Sequence, residues 1–119
     1  MKNITFNDWL KGKNFNSNVE SILRVMDNAL NATAQDARRG KGRISFGEVK
    51  PKKSFVILFW QSNSVRIQVK AANYPDYSNF GFVEPGDKQH FKKGFMELKI
   101  NDASQFDEEL KKFLIKGLK

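Results

Sequence analysis

Apolar and polar residues alternate most densely over residues 43–70, where the pattern predicts three short strands in succession. Over residues 43–49, Ile44 and Phe46 alternate with Arg43 and Ser45, the period of a half-buried strand. The Lys50-Pro51-Lys52-Lys53 run breaks it, because Pro51 has no N–H and sets its own φ. Residues 54–61 (SFVILFWQ) are apolar on both faces. That fits a central strand covered twice, or one covered once and carrying a ligand on its other side. Ser62-Asn63-Ser64 has turn chemistry. Beyond it Val65, Ile67 and Val69 alternate with Arg66, Gln68 and Lys70, which predicts one dry face and one basic face. Residues 95–100 (FMELKI) repeat the period as a fourth strand, with Met96, Leu98 and Ile100 inward and Glu97 and Lys99 outward.

Helical spacing frames these strands. Residues 5–12 predict a short helix capped by Thr5 and stopped by Gly12, with Phe6, Trp9 and Leu10 on one face. Over residues 17–34, Ser17 and Glu20 have capping-box spacing, and Val19, Ile22, Leu23, Met26 and Leu30 form an apolar stripe. Ser104 is the expected cap of a last helix, with Asp107, Glu108 and Glu109 in its first turn and Lys111, Lys112, Lys116 and Lys119 towards its end. Its stripe is Phe106, Leu110, Phe113, Leu114 and Leu118. The expected fold is α+β: a four-stranded antiparallel sheet with an N-terminal and a C-terminal helix packed on one face, residues 1–119 forming one domain.

Two segments resist the pattern. Residues 35–42 (QDARRGKG) read as a helix-to-strand linker whose glycines bring backbone N–H groups close to phosphate, or as an ordinary loop with solvated arginines. The glycine and Lys-Ser/Thr spacing of a phosphate loop is absent. Residues 71–92 are too long for a hairpin connection. They hold Tyr74, Tyr77, Phe80, Phe82, His90 and Phe91 among Asn, Gln and Lys, which suits either stacking on bases or anchoring the loop itself.

Charge narrows the partners. The chain of 119 residues has a net charge of +8, and residues 36–53 hold Arg38, Arg39, Lys41, Arg43, Lys50, Lys52 and Lys53 against only Asp36 and Glu48. Residues 71–119 carry equal numbers of acidic and basic side chains. An excess gathered at one end of a sheet points to an anionic partner. The absence of cysteine excludes disulfides, thiolate metal sites and cysteine nucleophiles, and suits a reducing cytoplasm. No stretch has the length of a membrane span, so no membrane association is expected.

One catalytic pattern stands out. Pro75-Asp76 followed by Glu97-Leu98-Lys99 resembles the PD…(D/E)xK arrangement of restriction-endonuclease-like nucleases. That resemblance implies Mg²⁺ held by Asp76 and Glu97, with Lys99 orienting the attacking water and Glu20 as a further carboxylate. Glu48-Val49-Lys50 matches the same triplet, so the pattern has low specificity. The lone His90 has no partner motif for a nucleophile scheme.

The run ISFGEVKPKKSFVILFW, the long connection and FMELKINDASQFDEELKKFLIKGL together resemble a small bacterial domain family labelled "predicted transport protein". The resemblance covers about residues 40–118, and members of that family occur fused to restriction-type proteins. It implies a host-defence or nucleic-acid context and assigns no residue a role. The leading expectation is a non-catalytic nucleic-acid-binding module using Arg38, Arg39, Lys41, Arg43, Lys50, Lys52, Lys53, Arg66 and Lys70, with Tyr74 and Tyr77 stacking and no cofactor required. The alternatives are the Mg²⁺ nuclease, or a binder of a protein or a small anionic ligand such as a nucleotide.

Overall fold

The computed structural model describes residues 5–48, 53–61, 63–85 and 94–118. Local chemistry starts each helix. Thr5 Oγ1 accepts from the Asp8 N–H at 3.1 Å and opens α1 (Phe6–Leu10), and Gly12 closes it with φ of 81°. Helix α2 (Ser17–Asn31) is capped by Asn16, not Ser17: the Asn16 Oδ1 accepts from the Val19 N–H at 2.8 Å, one residue ahead of the expected box. Its buried stripe is the expected one with Asp27 added. Near the C-terminus, Asp102 caps a 3₁₀ turn (Ala103–Gln105) where Ser104 was expected to cap the helix. Helix α3 (Glu108–Leu118) follows, with Asp107 accepting from the Leu110 N–H at 2.9 Å.

The chain is α+β with one antiparallel sheet, but the sheet has five strands, not four: β1 (Asp36–Arg39), β2 (Ile44–Glu48), β3 (Lys53–Trp60), β4 (Val65–Lys70) and β5 (Phe95–Ile100), neighbouring in that order. The extra strand is the segment expected to be a linker. It pairs with β2 from Asp36↔Gly47 to Arg39↔Ile44, and its charges are neutralised within the fold. Arg39 and Asp27 of α2 form a bidentate pair at 2.7 and 2.8 Å, with side chains only 5% and 4% exposed. Arg38 pairs with Asp36 and donates to Ser54 Oγ at 3.0 Å.

Register sorts the sheet into two faces. Ala37, Phe46 and Val56 lie in one row, and Val65, Ile67 and Val69 face Ile100, Leu98 and Met96. These residues join the buried stripes of α2 and α3 in one apolar cluster. The second face carries Arg38, Ser45, Ile57, Gln68 and Glu97 in one row and Phe59, Arg66 and Lys99 in the next. The alternation is as expected, but Arg66 and Gln68 are buried, not solvated. A bulge between Phe46 and Gly47 shifts the register against β3.

Residues 71–85 wind through two 3₁₀ turns and add a bridge from Val83 to Glu97 at the edge of β5. Their rings are anchors. Tyr74, Phe80 and Phe82 gather on Phe113 of α3 at centroid distances of 5.0, 4.2 and 5.8 Å. Tyr74 is buried and its hydroxyl donates to the Leu114 carbonyl at 2.6 Å. Burial pushes its phenol well above the ordinary value. Unfolded tyrosine ionises near pH ~10, so the folded form holds its proton where the unfolded chain releases it. This contribution to stability is intact below that pH and is lost as pH rises beyond it. Tyr74→Phe should therefore flatten the alkaline limb of a stability–pH curve measured by urea titration. At neutral pH it should cost about 1 kcal/mol for the lost hydrogen bond.

Candidate functional site

The site begins with a hairpin. The Gly40 N–H donates to the Arg43 carbonyl at 2.8 Å and closes the turn between β1 and β2, so that N–H is not offered to a phosphate as the linker reading expected. The Gly40 carbonyl accepts from the Trp9 indole N–H at 2.8 Å, which fastens the hairpin to α1. Trp9 is itself wedged against Phe15 and Trp60 at 5.7 and 5.4 Å, the latter edge-on.

A cavity of about 410 Å³ opens between this hairpin and the adjoining ends of β3 and β4. Lys41, Arg43, Gln61 and Arg66 are its polar lining, and Phe59 and Trp60 its apolar lining. Lys41 and Arg43 are exposed. Arg66 is 8% exposed and held in place: its Nη2 and Nε lie 2.6 and 2.8 Å from Glu97 Oε1. Gln68 Nε2 donates to the same oxygen at 3.0 Å. Lys99, directly opposite Arg66 on β5, is exposed and extends the cationic row. The arrangement offers several hydrogen-bond donors with Phe59 on the same face of the sheet as Arg66, and with no carboxylate in the lining.

The residues expected to bind therefore separate. Lys41, Arg43 and Arg66 meet at the cavity. Lys53 and Lys70 lie towards the other end of the sheet: Lys53 is six residues from Phe59 on β3, about 20 Å along a strand. Lys70 sits 5.7 Å from the Phe55 ring. Arg38 is engaged with Asp36 and Ser54, and Arg39 with Asp27, so neither guanidinium reaches the cavity. Tyr74 is buried and belongs to the interior, and Tyr77 packs half-buried against the core. Lys50, Lys52, His90 and Phe91 fall outside the described residues. Phe59, Trp60 and Gln61 were not expected at the site, although the two-sided apolar character of residues 54–61 was its signal.

The two carboxylates of the nuclease pattern have different settings. Asp76 sits exposed at the start of a 3₁₀ turn, while the Glu97 carboxylate is occupied by Arg66 and Gln68. Among the described residues, no three Asp, Glu or His side chains come together as metal ligands. A larger depression, about 670 Å³, lies between α1, α2 and α3, but its charges are balanced locally. Arg24 pairs with Glu20, Lys111 with Glu108 and Asp27 with Arg39. Among the described residues, no helix is long and apolar enough to cross a membrane.

Comparison with protein-family models, with curated proteins and with solved structures finds no match for this chain.

Proposed function

We propose that this protein binds single-stranded nucleic acid without cutting it, using the cavity at the β1–β2 hairpin and the cationic row beside it. One observation carries the reading: Lys41, Arg43 and Arg66 converge on a cavity that Phe59 lines from the same face of the sheet as Arg66. Cations meet the backbone and rings meet unstacked bases, the two elements of single-strand recognition. In this reading α2 and α3 cover one face of the sheet, and the ligand takes only the end of the other face where Lys41, Arg43 and Lys99 are exposed. Duplex reading is not favoured, because α3 mixes Glu108 and Glu109 with its lysines and offers no uniformly basic groove-binding helix.

Fluorescence anisotropy with a labelled single-stranded oligonucleotide tests this. With about three phosphates neutralised, a fourfold rise in salt should lower affinity roughly twentyfold. Combining Lys41→Ala with Arg43→Ala should flatten that salt dependence by about one unit of slope or more and cost roughly tenfold in affinity. Binding should persist in a chelator, and the strand should be recovered intact after incubation with Mg²⁺. Salt-insensitive binding, or cleavage abolished by Asp76→Ala, would overturn the reading.

A further inference from the structure

Register carries the surface past the cavity. Phe59 pairs with Arg66 and Arg66 with Lys99, so the three form one row on the second face of the sheet. Arg43, one residue before the Ile44↔Leu58 pair, stands at the β2 end of this row. Beyond it the Gln61 N–H donates to the Ser64 carbonyl at 2.9 Å and prolongs the β3–β4 ladder. The same parity then brings Gln61, Ser64 and Asn101 to that face as a further row. Together with Asn63 and Lys99 they line a second depression, of about 480 Å³. Gln61 lines both hollows, so the two adjoin.

Positive charge stands at the two ends of this surface. Lys41 and Arg43 at one end and Lys99 at the other are exposed, and none of the three enters an ion pair among the described residues. Arg66 between them is held by Glu97. The remaining lining of the second depression is uncharged: Gln61, Asn63, Ser64 and Asn101, side chains of the kind that meet phosphate and sugar oxygens. Asp102, the next carboxylate in the chain, caps its 3₁₀ turn and does not line the depression.

We infer that a single strand crosses this end of the sheet perpendicular to the β-strands, from Lys41 and Arg43 over Gln61 to Lys99, with a footprint of three to four nucleotides. This rests on the nucleic-acid reading above and gives its ligand a path and a length. From β2 to β5 there are three strand spacings, about 14 Å in all. A strand stacked at about 3.4 Å per nucleotide covers that span with roughly four units. A more extended one covers it with fewer, and the three unpaired cations call for three phosphates.

The test uses the full chain with labelled octathymidylate, displaced by unlabelled oligothymidylates of two to eight nucleotides and followed by fluorescence anisotropy. Affinity should rise about tenfold or more between two and four nucleotides, because both cationic ends are then engaged by one molecule. It should level off beyond four, apart from the statistical gain of longer strands. Lys99→Ala should remove most of that rise, weakening the four-nucleotide strand roughly fourfold and lowering its salt slope by about 0.7. Arg43→Ala should weaken every length by a similar factor. Lys112→Ala, which removes the same charge from an exposed position on α3, should change none of them. Circular dichroism of each variant separates lost binding from lost folding.

A plateau already reached at two nucleotides, or a Lys99→Ala variant indistinguishable from Lys112→Ala, would overturn the path and leave binding at the hairpin cavity standing. So would a series that climbs to eight nucleotides with no break. An equal loss at every length in Lys99→Ala would place the short strand at Lys99 and overturn the path as drawn. No binding of any oligonucleotide would overturn both proposals.

Discussion

Asp27→Ala should cost about 3–5 kcal/mol of folding stability, because it leaves the Arg39 guanidinium charged and buried without its counter-ion. Both side chains are at least nine-tenths buried, so solvent screens the pair little. Asp27 also ties β1, a four-residue strand with one apolar side chain, to α2. The check is urea unfolding at neutral pH of Asp27→Ala, Arg39→Met and the double change Asp27→Leu with Arg39→Met. The double variant should recover most of the loss, since replacing a buried pair by apolar groups of similar volume is close to neutral. A loss below about 1 kcal/mol for Asp27→Ala would mean that the pair is solvated in solution. Arg39→Met should leave oligonucleotide affinity unchanged per folded molecule.

Gly47→Ala should be comparably damaging for a steric reason. A Cβ at this position would lie 1.8 Å from the Lys53 carbonyl oxygen and 2.8 Å from its carbon, inside the bulge where β2 meets β3. Backbone, not a flexible side chain, blocks it, so β2 and β3 must part at the bulge, one pair from the end of their ladder. We expect about 3 kcal/mol or more, at the upper end of overpacking costs. Gly42→Ala is the matched control: nothing lies within 4 Å of its Cβ, and its effect should stay within about 0.5 kcal/mol. Thermal and urea unfolding of the two variants compare them directly. Equal stabilities would show that the bulge reopens at little cost.

Much of the architecture was legible in the chain. The stripes of α2 and α3 and the alternation of β2, β4 and β5 appear where periodicity places them, because burial on one face dictates those patterns. Strand β1 was hidden because three of its four residues are charged, and the carboxylate that holds it lies in another element. Asp27, a carboxylate between Met26 and Leu30 on the apolar stripe, was the available clue. Of the two readings of the aromatic connection, anchoring describes Tyr74, Phe80 and Phe82. A Cβ at Gly117 would strike the Tyr74 ring at 2.2 Å, so the missing side chain is the ring's seat. The site itself combined the readable and the unreadable. Residues 54–61 showed that both faces of β3 were apolar, whereas the pairing of Phe59 with Arg66 depends on register.

Helix α1 spans five residues, far too few to stay wound unaided in water. Its indole holds the carbonyl of Gly40 at the cavity's rim, so the little helix and the hairpin brace each other as one cooperative unit. Fraying at Trp9 would loosen the mouth of a chamber that no residue of that helix touches, and a guest locking the hairpin would in turn keep the helix wound.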